Sequence, residues 1–91
     1  MSDKTKQFSI GNKNEDEIRN IILITYNALK EKGYNPISQI VGYILSEDPT
    51  YITTHNNARN LIRRVDRFEL LQILLRDYIA SGGNDGFEHI G

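Results

Sequence analysis

The stretch "EKGYNPISQIVGYILSEDPTYI", Glu31–Ile52, decides the fold. Gly33 stands where an incoming helix needs a left-handed stop. Asn35-Pro36 opens the next helix, because asparagine caps free amides and proline at the first helical position loses no hydrogen bond. Ile37, Ile40, Val41, Ile44 and Leu45 recur at helical spacing and predict a buried stripe. Ser46 to Pro49 ends that helix. Tyr51-Ile52-Thr53-Thr54 reads as extended, with Thr53 or Thr54 placed to cap a third helix.

Outward from this centre the punctuation continues. Upstream, Asn14 followed by Glu17 resembles a capping box and predicts a helix from about Glu15 to Lys32. Its apolar face is Ile18, Ile21, Ile22, Thr25, Tyr26 and Leu29. Downstream, Ala58, Leu61, Ile62 and Val65 share one face of the third helix. Asp66 and Glu69 give a second start signal for a fourth helix, from about Arg67 to Ala80, stopped at Gly82-Gly83. Its main stripe is Phe68, Leu71, Leu74, Leu75, Tyr78 and Ile79, with Leu70 and Ile73 toward the opposite side. Leu23 lies similarly off-stripe on the first helix. The expected class is therefore all-α: about four helices in a small bundle, with a helical domain over 14–82. Apart from Met1, residues 1–13 carry only Phe8 and Ile10 as large apolar groups and predict a disordered tail. Residues 83–91 predict a flexible C-terminal tail. Helices that are apolar most of the way round need cover on both sides, so a homodimer, intertwined or tightly packed, is expected.

Composition limits the chemistry. The chain has 91 residues, no cysteine, two histidines and a net charge of −1. Disulfides and thiolate metal sites are excluded, and a reducing, cytoplasmic setting fits. No apolar run approaches the roughly 20 residues that span a bilayer, and the N-terminus lacks the apolar core of a signal peptide. No paired-histidine pattern, phosphate loop or nucleophile elbow appears, so no enzyme, cofactor or metal is expected.

The informative polar cluster is "HNNARNLIRRVDR", His55–Arg67. It holds Arg59, Arg63, Arg64 and Arg67. On a helical wheel Arg59 and Arg63 stack on the face away from the apolar stripe, with Asn56 and Asn60 nearby. Arginine's planar fork suits carboxylate or phosphate, which makes Asn56, Arg59, Arg63 and Arg64 candidates for partner binding. The plainer reading is a solvated face with ion pairs to Asp48, Asp66 or Glu69. A helix-turn-helix DNA-binding protein is the alternative function. The long connection from Leu45 to His55 and the acidic net charge argue against nucleic acid.

The opening stretch, followed by "NARNLIRRVDRFELL" (Asn57–Leu71), closely resembles the IreB/ReoM/YrzL family of small Firmicutes proteins. The resemblance covers about residues 15–80, with a short further likeness at "DKTKQF". It implies an all-helical cytoplasmic homodimer without enzymatic activity. It also implies a substrate of a PASTA-type Ser/Thr kinase and its phosphatase, acting on cell-wall homeostasis and resistance to cell-wall antibiotics. In some members the output runs through Clp-dependent proteolysis of the first committed enzyme of peptidoglycan synthesis, which implies a protease-adaptor partner. Thr5 matches the tail threonine that is phosphorylated. Arg59 and Arg63 match arginines the family needs. Two departures stand out: Thr53-Thr54 replaces a usual Pro-Arg pair, and Glu47 replaces a usual glycine.

Overall fold

The computed structural model describes the backbone of residues 2–90 and the side chains of residues 14–82. Helix α1 spans Ser2–Glu31, α2 Pro36–Ser46, α3 Ala58–Ile62 and α4 Arg67–Ile90. Two 3₁₀ turns, Pro49–Tyr51 and His55–Asn57, fill the connection between α2 and α3. There is no strand among the described residues, so the class is all-α. The expected tails over 1–13 and 83–91 fall outside the residues whose side chains are described.

The predicted punctuation around α2 is present. Gly33 has φ 87° and ends α1. Asn35 Oδ1 accepts from the Ser38 amide at 3.1 Å, and Pro36 begins the helix. At the far end Glu47 adopts φ 63°, and its amide donates to Tyr43 O at 2.7 Å. This is the left-handed cap that glycine usually supplies. Asp66 also behaves as read: its Oδ2 accepts from the Glu69 amide at 3.2 Å at the start of α4.

Several boundaries differ from the sequence reading: Tyr51 closes a 3₁₀ turn and Thr54 is helical in backbone rather than extended, and α3 stops at Ile62, which leaves Val65 in the connection to α4. The α1 bounds begin well before Asn14, so Asn14 and Glu17 cap nothing. Asn14 Nδ2 donates instead to the Glu69 carboxylate, and Glu17 accepts from Arg64. Nor does α4 stop at Gly82-Gly83, for its bounds run to Ile90.

The core gathers Ile18, Ile21, Ala28 and Leu29 from α1, Ile40, Tyr43 and Ile44 from α2, and Ala58 and Ile62 from α3. Ile52 and Val65 join it from the connections, and Leu70 from α4. Packing of α1 against α2 and α3 forms its centre. The faces that α2 and α4 turn inward are a correction to the sequence reading. In α2, Ile37, Val41 and Leu45 point to solvent, while Tyr43 takes a core place beside Ile40 and Ile44. In α4, Leu70 is buried and Ile73 packs on the core, whereas Phe68, Leu71, Leu75, Tyr78 and Ile79 lie outward. A wide apolar stripe tells which residues need cover, but only the tertiary neighbours decide which part is covered first.

Candidate docking face

The turn before α3 sets the geometry. Asp48 Oδ1 accepts from the Thr50 amide at 3.0 Å and the Thr50 hydroxyl at 2.7 Å, which fixes the Pro49–Tyr51 turn. Those two bonds, the hydroxyl's first, hold the Asp48 carboxyl below its ordinary pKa, with a smaller contribution from the Arg59 charge. Gln39 Nε2 donates to Tyr51 O at 2.9 Å. The Tyr51 ring lies directly on Gly42, where a Cβ would meet it at 2.5 Å. Gly42 thus serves close approach rather than a turn.

Ile52 is completely buried, and its carbonyl accepts from Arg59 Nε at 2.8 Å. Thr53 then caps the following turn: its Oγ1 accepts from the His55 amide at 3.1 Å, and its carbonyl from the Arg59 amide at 3.1 Å. Asn56 and Asn57 follow with φ 55° and 62°. Asparagine tolerates this left-handed region better than most residues, because its short polar side chain bonds locally. Here Asn57 Oδ1 accepts from Asn60 Nδ2 at 2.9 Å. His55 Nε2 meets Glu31 Oε1 at 2.7 Å, joining this turn to the end of α1.

The predicted site residues are near one another in the chain but unequal in role. Arg59 is half-buried and bonded inward to the loop. Arg63 is exposed at the C-cap of α3, with no ion pair among the described residues. Arg64 is exposed and pairs with Glu17 at 3.1 Å. Asn56 is exposed on the left-handed turn. Thr5 lies outside the described side chains. Sequence reasoning missed Arg67, whose guanidinium bonds Ile44 O and pairs with Glu47 at 2.8 Å, tying the end of α2 to the start of α4. Its only sequence signal was membership of the arginine cluster.

Among the described residues no three His, Asp or Glu side chains gather as a metal site. No helix there is long and apolar enough to cross a membrane. The exposed Asn56, Asn57, Arg63 and Arg64 present hydrogen-bonding groups and positive charge to solvent.

Comparison with known proteins agrees with the resemblance in the sequence. The family described as IreB regulatory phosphoprotein matches residues 3–80. A UPF0297 protein of Ruminiclostridium cellulolyticum is 50% identical over 82 residues, covering 90% of this chain and 93% of the relative. A UPF0297 protein of Acetivibrio thermocellus is 54% identical over 80 residues, covering 88% and 89%. With its sequence matched almost from end to end, this chain belongs to the IreB family of regulatory phosphoproteins.

Proposed function

We propose that the protein is a non-enzymatic, cytoplasmic regulatory adaptor that works as a homodimer and is switched by phosphorylation of Thr5. The kinase is of the PASTA type, opposed by a phosphatase. The output is peptidoglycan homeostasis and antibiotic resistance, through a protease-adaptor partner and Clp-dependent turnover. Family membership over residues 3–80 is the observation that carries this reading. The face around Asn56, Arg63 and Arg64 is the docking surface, with Arg59 bracing the turn beneath it.

A phosphate on Thr5 adds about −1.5 to −2 charges. It either docks on this arginine face or leaves the tail free to obstruct a partner there. The missing Pro-Arg pair at Thr53-Thr54 lowers the positive charge available, which favours the free tail.

Co-purification from native cytoplasm with the intact protein and Thr5→Ala tests the reading. The expected result is one protein partner whose recovery depends on the state of Thr5 and is lost with Arg63→Ala. A kinase that modifies Ser2 or Ser9 and leaves Thr5 untouched overturns the switch. Recovery of nucleic acid with steep salt dependence, in place of a protein, overturns the adaptor.

A further inference from the structure

The apolar and the charged surfaces of this chain are segregated. The outward rows of α2 and α4 are apolar, whereas Asn56, Asn57, Asn60, Arg63 and Arg64 are the exposed residues of α3 and its flanks. Between Asp48 and Asp66 the chain carries three arginines and no acidic residue. This run ends at a surface cleft, lined by Tyr43 and Glu47 from the end of α2 and by Arg63, Arg64, Asp66 and Arg67. Tyr43 is only 7% exposed, and Arg67 is held by its bond to Ile44 O, so one wall of the cleft is fixed by the fold.

Most of the charge in the cleft is already matched. Arg64 pairs with Glu17 at 3.1 Å and Arg67 with Glu47 at 2.8 Å. Asp66 Oδ2 accepts from the Glu69 amide. Arg63 alone of the three arginines has no ion pair among the described residues. Three arginines against the carboxylates of Glu47 and Asp66 leave an excess of one positive charge.

We propose that this cleft receives one carboxylate, from an Asp or Glu side chain of the partner protein, on the open fork of Arg63. The proposal deepens the adaptor reading and rests on it for the existence of a partner. The fit is one of charge and shape. A carboxylate brings a single negative charge, which balances the cleft, and its two oxygens match the parallel N–H groups of the guanidinium. A phosphate monoester brings about −1.5 to −2 charges, and the surplus faces Glu47 and Asp66. A nucleic-acid backbone brings a row of charges, while the carboxylates of Glu17, Glu47 and Asp66 lie among the arginines. Like charges brought together at a contact disfavour the wrong ligand. Phe68, the first outward residue of the α4 row, also lines the cleft, so a second copy is the competing occupant.

NMR titration of the full chain tests this. The probe is N-acetyl-glutamate methylamide, whose side-chain carboxylate is its only charge, and the control is its glutamine analogue. The Arg63 Nε–Hε signal and the amides of Arg64, Val65 and Asp66 should shift and saturate. The glutamine analogue should bind about fivefold more weakly, the upper end for an exposed ion pair. Arg63→Ala should abolish the shifts and leave the sedimenting mass unchanged. Glu47→Gln leaves the cleft a second excess positive charge and should move its preference toward inorganic phosphate. In the unaltered chain at equal ionic strength, tighter binding of inorganic phosphate or of a short oligothymidylate than of the glutamate probe overturns the carboxylate assignment. Equal binding of the two amino-acid probes, or no shift at Arg63, overturns it as well. A fall in mass with Arg63→Ala shows that a second copy fills the cleft and also overturns it. The titration needs no partner, so the two readings fail separately. Co-purification that yields no protein defeats the adaptor, whereas a recovered partner with a silent Arg63 defeats the carboxylate cleft alone.

Discussion

Arg59 and Arg63 stand one helical turn apart in α3 and its cap, yet the structure separates their roles. Arg59 Nε satisfies the carbonyl of the fully buried Ile52, and a charged hydrogen bond of this kind is worth about 1.5–3 kcal/mol. Arg59→Ala is therefore expected to lower stability by about 1–2 kcal/mol, while Arg63→Ala changes it by no more than about 0.5 kcal/mol. Urea unfolding of the two variants checks this, and equal small effects would remove the bracing role of Arg59. Partner-binding measurements are cleanest at Arg63 for the same reason. Helical spacing placed both arginines away from the apolar stripe. It did not reveal that the turn carrying Asn56 and Asn57 brings Ile52 within reach of one of them. Thr25 poses the converse case. It sits fully buried in α1, and its hydroxyl has no hydrogen-bond partner. Burying an unpaired hydroxyl costs about 1–3 kcal/mol, so Thr25→Val, which keeps the shape, should raise stability by about 1 kcal/mol. In a chain of this size that moves Tm by about 4–8 °C, and a fall in Tm would mean the hydroxyl is satisfied in solution.

At the scale of elements, local signals were legible where they act locally. Gly33, Asn35-Pro36 and Asp66 were read from the sequence because a stop or a cap involves only a few consecutive residues. The inward faces of α2 and α4 were not, because apolar periodicity is shared by residues facing the core and residues facing a second surface. The Gly42–Tyr51 contact was also hidden, since it depends on the Pro49–Tyr51 turn folding back over α2. It gives a prediction whose sign changes with context. In an open helix Gly→Ala gains about 0.8–1 kcal/mol of propensity. Against the Tyr51 ring, at 2.5 Å, the added methyl forces a shift that costs about 1–3 kcal/mol. Gly42→Ala alone should therefore destabilise, and the same change in a Tyr51→Ala background should stabilise. A double-mutant cycle of unfolding free energies reads the difference, and additive effects would show that ring and glycine do not meet. Asp48 supplies the pH dependence of this same turn. Its carboxyl titrates below the unfolded value of 3.8, chiefly through its bonds from Thr50. The folded state thus binds the proton more weakly than the unfolded chain. Its contribution is fully present above the unfolded pKa and is lost as pH falls through the lower folded value. Asp48→Asn should flatten the acid limb of the stability profile below about pH 4. An unchanged limb would mean the Thr50 bonds do not favour the carboxylate.

For the whole molecule, the outward apolar rows are the feature that a single chain leaves unexplained. On α4, Phe68, Leu75, Tyr78 and Ile79 are 60–77% exposed, and on α2 Ile37 and Leu45 are 61% and 78% exposed. Isolated exposed leucines are ordinary, but rows of them on one helix face mark a surface that meets another molecule. A short chain gains the most from covering such rows, because its own core is small relative to its surface. A second copy is the simplest cover, and a two-fold arrangement lets each chain present the same row. The expected outcome in sedimentation equilibrium is a mass of two chains at tens of micromolar, and a single 10.5 kDa species would remove the homodimer. Inward and outward positions on α4 then separate assembly from folding. Leu75→Asp should give monomers that keep their helical circular dichroism, because its charge is solvated once the partner leaves. Leu70→Asp should unfold the attachment of α4 itself, because Leu70 is 2% exposed and an unpaired carboxylate there has no water and no partner. The sequence alone had assigned Leu70 and Ile73 to the second surface, so this pair of variants also distinguishes the two assignments. If Leu70→Asp dissociates an otherwise folded chain while Leu75→Asp leaves the dimer intact, the inward face of α4 is the interface. The packing of Leu70 against its own core would then be wrong for the assembled protein.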